Sequence, residues 1–343
     1  MERMEKMNPN RPLVTMHIAC YNQEWCIRET LEGAFSQTYS PLDIVVSDDC
    51  STDRTWQIVQ EMVERYRRED GRHNVILNRN PENSYRATYQ VKERIRGHVH
   101  SLWRGELIVQ ADGDDISLPN RVEETVRAWD ENGRRADMII CDCTKISVAG
   151  DKLGYKSCHS IPYLGATMTY TRRCEEFFGS IGKTGNSVLG DIVRKRRAEM
   201  LGGVIYLEKP LVKYRVGSSF SQVTKDFRKS MCRLYQLEVQ SFETMLQDSE
   251  CIKSDAEKYT RMRTEIERDL KADRVILALW KSERFPERWN AYRRLDSKKR
   301  FSPAMLLYGP LLLLPHGVGD PLLELMHRLV LWLKRHMLWL HCR

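Results

Sequence analysis

The chain has 343 residues, 41% apolar and 30% charged, which suits one large α/β domain with an appendage and excludes a disordered scaffold. Its net charge of +8 is interspersed with acids over most of the length, so charge alone selects no partner among nucleic acid, anionic lipid and phosphorylated substrates. Ten cysteines without a CxxC pair, only Cys141 and Cys143 being close together, indicate neither a zinc site nor a disulfide framework and predict reduced thiols. Residues 1–11 are polar and lack the apolar run of a secretory signal, which predicts a cytoplasmic protein.

Residues 12–19 (PLVTMHIA) are rich in apolar and β-branched side chains and predict a buried first strand. Over 23–35 the positions Trp25, Ile27, Leu31 and Ala34 have helical spacing; a turn at 37–41 then leads into a second strand at 42–47. Strand, helix and strand make one parallel crossover unit. Ser51, Thr52 and Asp53 precede a helical pattern carrying Trp56, Ile58, Val59, Met62 and Val63, which puts Asp48 and Asp49 in a strand-to-helix loop. Strands are predicted at 74–77, 106–110 and 138–141, and helices at 87–102 and, begun by a proline, at 119–129. This alternation is that of a Rossmann-like, nucleotide-binding α/β domain. Extended segments are expected at 165–170, 186–190 and 204–207. His98 and His100, which lie in the basic stretch over 87–102, read as surface residues rather than ligands.

From about 222 to 289 the pattern turns helical, with Leu234, Leu237, Val239, Phe242 and Met245, then Val275, Ile276, Leu279 and Trp280. Residues 305–314 are strongly apolar, but Gly309 and Pro310 interrupt them and Pro315 ends them, too short and broken for a spanning helix. Residues 322–343 interleave leucine, methionine and tryptophan with Arg328, Lys334, Arg335 and several histidines, as a basic amphipathic helix does. Such a segment either lies on a membrane surface or packs its leucine stripe on the helical region or on a second copy of the chain in a homodimer.

Three acidic positions follow predicted strands: Asp48 and Asp49, then Asp112-Gly113-Asp114-Asp115, then Asp191. In an open α/β sheet the carboxyl ends of the strands face one crevice, where loops distant in sequence converge and ligands bind. Two acids at i and i+2 in an extended turn face one side, and hard cations such as Mg2+ or Mn2+ favour carboxylate oxygen while leaving places for phosphate oxygens. Asp112 and Asp114 have that spacing. The structural alternative is a polar turn, since glycine and aspartate are common turn residues; for Asp191 it is the N-cap of a helix over 192–201.

In their order and spacing, Tyr21-Asn22-Gln23-Glu24, Gln37-Thr38-Tyr39, Asp43 through Asp53, Gly105 through Asp115, Leu189-Gly190-Asp191 and Leu211 through Arg215 resemble family-two inverting glycosyltransferases of the GT-A fold, over about the first two-thirds of the chain. The resemblance implies a GT-A catalytic domain at 1–220, with its nucleotide-binding part at about 12–115 and its acceptor part at about 116–220. A helical accessory region at 221–300 and the apolar and basic segment at 301–343 complete the chain. It further implies that Tyr21 and Asp49 hold the nucleotide base. Asp112 and Asp114 engage a Mn2+ or Mg2+ diphosphate, Glu24 and Asp48 support the ribose or orient neighbours, and Asp191 is the base that deprotonates the acceptor hydroxyl. The partners implied are a UDP- or dTDP-sugar and a glycan or lipid-linked acceptor, not nucleic acid, with a place in polysaccharide biosynthesis and peripheral contact with the inner face of a membrane.

The chain departs from the family where Gly190 replaces a common glutamate, where Val216 and Gly217 stand in place of a metal-binding histidine, and where Ser84-Tyr85-Arg86 replaces an Asn-x-Gly turn. Thr167 and its neighbours are acceptor-side candidates, their hydroxyls contacting sugar or satisfying a sheet edge. Lys213 and Arg215 either help a loop cover the diphosphate or are solvated strand charges. Two other readings stay open: a sugar-phosphate nucleotidyltransferase, disfavoured because no Gly-rich basic loop follows the first strand, and a noncatalytic membrane-associated binding module.

Overall fold

The computed structural model describes residues 11–84, 87–160, 164–179, 181, 188–217, 227–295, 310–314, 319–323 and 325–326. The chain divides into two compact units, the first comprising 1–185 and 194–218, the second 186–193 and 219–343.

In the first unit, strands β1 (Val14–Cys20), β2 (Leu42–Asp48) and β3 (Asn74–Arg79) alternate with helices α1 (Ile27–Phe35) and α2 (Thr55–Glu69). Helix α3 (Tyr89–Ser101) leads to β4 (Leu107–Asp112), the two-residue β5 (Ile116–Ser117), α4 (Arg121–Glu131), and the hairpin of β6 (Met138–Ile146) and β7 (Lys152–Lys156). Then come β8 (Met168–Thr171), α5 (Arg172–Phe178), α6 (Gly190–Met200), of which residues 190–193 belong to the second unit, and β9 (Val204–Arg215). The strands form one mixed sheet in the order β3-β2-β1-β4-β8-β6-β9-β5, with β7 on β6. β1 runs parallel to both β2 and β4, while β8 is antiparallel to β4 and to β6. Alternation along the strands sends Val14, Met16, Ile18, Ile44, Val46, Leu107 and Val109 into a core with Ile27 and Leu31 of α1, Ile58 and Met62 of α2, and Val122 and Val126 of α4.

Several expectations need correction. Asp48 and Asp112 close β2 and β4 rather than following them; both strands run to their carboxylates because the parallel ladders pair Cys20 with Asp48 and Ala19 with Asp112. Helix α1 starts at Ile27, not at 23, and is preceded by a turn in which the Cys26 and Ile27 N–H groups donate to the Gln23 carbonyl at 3.1 and 2.9 Å. Trp25 therefore lies outside the helix and is 46% exposed. The 165–170 segment opens as a 3-10 turn over Gly165–Thr167 before becoming β8.

Among the described residues of 186–190, expected to be extended, no strand forms. Residues 186 and 187 lie outside the described residues, 188 and 189 are irregular, and Gly190 opens α6 with Asp191 in its first turn. The positive end of the helix favours an acid there, and Val193 and Ala198, both buried, continue a helical rather than an alternating pattern.

The second unit is built on α7 (Phe227–Ser249), α8 (Ala256–Lys281) and α9 (Phe285–Arg294). Phe227, Ile276, Leu279, Trp280, Ala291 and Leu295 form its core with Leu312 and Leu323. Among the described residues no helix is long and apolar enough to cross a membrane. Most of 305–314 and of 322–343 lies outside the described residues.

Candidate functional site

β1 sits between β2 and β4, so the chain moves away from β1 in one direction through β2 and β3 and returns on its other side as β4. Loops leaving strands at such a reversal diverge and leave a crevice at their carboxyl ends. Here the three loops are laced together. Asp49 N–H donates to the Cys20 carbonyl at 2.8 Å, and Gly113 N–H to the Ala19 carbonyl at 2.8 Å. Asn22 N–H donates to Ser51 Oγ at 2.9 Å, while its side-chain oxygen accepts from Thr52 N–H at 2.8 Å. Asn22 has φ 51° and Cys50 φ 62°; asparagine tolerates this left-handed conformation, whereas at Cys50 it stores strain beside the crevice.

Glu24 is exposed and tied to the start of α2: its carboxylate accepts from Arg54 N–H at 2.8 Å, and its own N–H donates to Asp53 at 3.1 Å. Asp48 is 0% exposed. It accepts from Ser51 N–H at 3.0 Å and from the Ser51 hydroxyl, and pairs with Arg79 at 3.2 Å. Both acids thus orient neighbouring loop residues.

Asp49 is half-buried, as is Tyr21 at the end of the neighbouring strand. Its carboxylate accepts from Asn80 Nδ2 at 2.7 Å, from Asn83 Nδ2 at 3.1 Å, and from the N–H and hydroxyl of Ser84, each at 2.9 Å. Sequence reasoning missed these partners. The signal available was a polar run immediately after β3, at the strand end that adjoins β2.

The turn after β4 brings Asp112, Asp114 and Asp115 together. Gly113 is required there, since a Cβ would stand 2.6 Å from Cys20 Cβ. Asp114 and Asp115 are buried, and Asp115 N–H closes the turn on the Asp112 carbonyl at 3.1 Å. Burial, and then the charges of Asp112 and Asp114, push the Asp115 carboxyl well above the usual carboxylate range; one of its oxygens is buried without a hydrogen bond. Burial followed by the charges of Asp115, Asp112 and Asp114 also raises the Tyr214 hydroxyl to about 12. Negative charge is therefore concentrated at the turn. Behind it, buried Arg121 donates to the Gln110 carbonyl at 2.7 Å and to Ser117 Oγ at 2.9 Å. Arg215 is buried too, which corrects its reading as a solvated charge or a covering loop residue; Lys213 on the same strand is exposed. Nothing local separates the two, because the groups that hold Arg215 inward, the Asp114 and Val148 carbonyls and the Asp115 carboxylate, lie far away in sequence.

The carboxylate pair Asp112 and Asp114 offers hard oxygen donors of the kind Mg2+ and Mn2+ take, and a cation there would relieve the crowding that raises Asp115. Among the described residues no group of three or more histidine, cysteine or acidic side chains is arranged to hold a metal. His100 is not a surface residue: it stacks on Trp103 with ring centroids 4.0 Å apart. Asp191 is half-buried and belongs to the second unit, where Leu189 N–H, two residues earlier, donates to Ser241 Oγ of α7 at 2.9 Å.

Residues 15–185 match the model of the family described as glycosyl transferase family 2. EpsE of Bacillus subtilis, classed as a glycosyltransferase, is 30% identical over 115 residues, 34% of this chain and 37% of EpsE. The Escherichia coli UDP-Glc:alpha-D-GlcNAc-diphosphoundecaprenol beta-1,3-glucosyltransferase WfaP is 46% identical over 50 residues, 15% of this chain and 20% of WfaP. The chain therefore spans little more than a third of the first relative and a fifth of the second. In fold it is similar to the mannosyltransferase PcManGT from Pyrobaculum calidifontis in complex with GDP-Man and Mn2+, with a TM-score of 0.54 and 16% identity over 94% of this chain and 86% of that one.

Proposed function

We propose, from the premise that the chain belongs to glycosyl transferase family 2 and has its GT-A fold, an inverting transfer of a sugar from a nucleotide diphosphate to a hydroxyl of a glycan or lipid-linked acceptor. The observation that carries this reading is the lacing of the three loops after β1, β2 and β4 at the reversal of the sheet, with two hard carboxylates in the third. A UDP- or dTDP-sugar is the donor of choice: the Asp49 carboxylate would accept an imide N–H in exchange for one of its Asn83 and Ser84 donors, and Tyr21 offers a ring to stack on the base. WfaP, by its name, uses UDP-Glc and a lipid diphosphate acceptor, and PcManGT holds GDP-Man with Mn2+.

In this reading Asp112 and Asp114 hold Mn2+ or Mg2+, which supplies charge stabilisation for the departing diphosphate. Asp191 removes the acceptor hydroxyl proton as that oxygen bonds to the anomeric carbon. The bond from that carbon to the phosphate oxygen breaks, and the nucleotide diphosphate leaves with the electron pair. Configuration inverts because attack and departure occur on opposite faces.

Two substitutions test the assignment. Asp191→Asn should lower kcat by about a hundredfold or more, the scale of a lost general base, while leaving donor affinity within about twofold. Asp112→Asn should instead abolish metal-dependent donor binding in calorimetry. Full turnover by Asp191→Asn would remove it from the base role; unchanged Mn2+ dependence in Asp112→Asn would remove the metal assignment.

A further inference from the structure

Arg215, the last residue of β9, is 2% exposed, and its bonds converge on the turn that carries Asp112 and Asp114. Its backbone N–H donates to the Asp115 carboxylate at 2.7 Å, and Nε donates to the Asp114 carbonyl at 2.9 Å. One terminal nitrogen donates to the Val148 carbonyl at 2.8 Å, in the turn between β6 and β7. The other pairs with Glu29 Oε2 of α1 at 3.0 Å. The Trp25 ring, outside α1 and largely in solvent, covers the guanidinium at 5.4 Å.

A strand end that needed only packing would accept an apolar residue at lower cost than a buried charge. The guanidinium fork supplies something else: planar donors in fixed directions, which lysine does not reproduce. The two candidate metal carboxylates are held in different ways. Asp112 is fixed by the β1–β4 ladder, opposite Ala19. Asp114 lies beyond the ladder, and its carbonyl is held by the Arg215 fork while Asp115, the next residue, is held by the Arg215 backbone.

We propose that Arg215 is a positioning residue that sets Asp114 against Asp112, and with it the affinity of the turn for a divalent cation and nucleotide diphosphate. The proposal rests on the functional reading given above. Arg215 touches neither cation nor donor; it acts through the backbone of the turn, and Glu29 holds its outer nitrogen in place.

The test is calorimetric titration of the full chain with Mn2+ and UDP, dTDP or GDP in turn, for wild type, Arg215→Lys and Glu29→Gln, alongside thermal melting and metal-free nucleotide titration. Arg215→Lys should weaken the Mn2+-dependent binding about tenfold, and Glu29→Gln about threefold, in keeping with the loss of a fixed fork and of a charged acceptor. Metal-free binding should be unchanged in both, and Glu29, half-exposed at 51%, should be replaceable without a large loss of melting temperature. A residue that only stabilised the fold would lower melting temperature and leave the metal dependence of the folded protein intact; that result overturns the proposal. If Arg215→Lys does not fold, Glu29→Gln decides, and wild-type metal affinity in that variant also overturns it. Wild-type protein that is folded but binds none of the three nucleotides with Mn2+ would overturn the functional reading itself, and the positioning role with it.

Discussion

His17 carries an imidazole into the sheet on the face opposite the main core. It is 8% exposed, its Nδ1 lies 3.4 Å from Gln110 Oε1, and its Nε2 is buried without a hydrogen bond. Burial lowers its pKa from 6.5 to about 4, assisted by the charges of His100 and Arg194 and opposed by Gln110. An unfolded chain binds a proton there below pH 6.5, whereas the folded chain resists until about 4, so the stability contributed by neutral burial is complete above 6.5 and is lost as pH falls through this window. His100 moves the same way, to about 4, mainly by burial. A tenfold change in proton affinity corresponds to about 1.4 kcal/mol, so His17 alone accounts for a loss of about 3 kcal/mol by the time the pH reaches the folded-state value. Melting temperatures between pH 7.5 and 4.5 should therefore fall more steeply in wild type than in His17→Gln; parallel curves would show that His17 does not titrate differently on folding. No local sequence signal marked His17 as special, because what covers it is distant in sequence: Trp103, 86 positions on, lies 5.2 Å away between ring centroids.

At the scale of elements, what the sequence disclosed follows from periodicity. The first two strands and the helices α1 and α2 were legible because each buries a continuous face, whereas α3 buries little more than Ile95 and Val99; the acids at Asp48, Asp49, Asp112 and Asp114 could be read as strand-end residues from the apolar runs that precede them. The segment before Asp191 was misread because Val188 and Leu189 are too short an apolar run to distinguish a strand from the entry to a helix. What settles that entry is a long-range bond: Leu189 N–H donates to Ser241 Oγ, and the Ser241 hydroxyl donates on to the Leu237 carbonyl at 2.7 Å. Ser241 is 1% exposed, so Ser241→Ala leaves the Leu189 donor unmatched at a cost of about 1 to 2 kcal/mol and loosens the first turn of α6. If Asp191 is the base, steady-state kinetics should show kcat down by about three- to tenfold with the KM for donor unchanged, and Ser241→Thr, which keeps the hydroxyl, should restore it. A fall in donor affinity without a fall in kcat would separate Ser241 from the chemistry.

For the whole molecule, the remaining prediction concerns the basic C-terminal segment, whose readings were surface attachment, packing on the helical region and packing on a second copy of the chain. Packing holds at its beginning. Leu323 is 1% exposed within the helical core, and Asp320, just before it, pairs with the nearly buried Arg228 at 2.6 Å. A deletion starting at Pro315 would strip that core and orphan a buried guanidinium, so any loss of membrane binding would report unfolding. The informative truncation ends the chain at Met326. It keeps Asp320 and Leu323 and removes Arg328, Lys334 and Arg335 with the interleaved Trp332 and Trp339, the groups that suit an anionic surface. The full chain should sediment with vesicles containing anionic lipid, less so at high salt, where charge attraction is screened. The truncated chain should remain in the supernatant while melting at the same temperature. Equal sedimentation of the two forms would place the membrane contact elsewhere or nowhere, and a lower melting temperature on truncation would extend the internal packing of Leu323 to the residues beyond it.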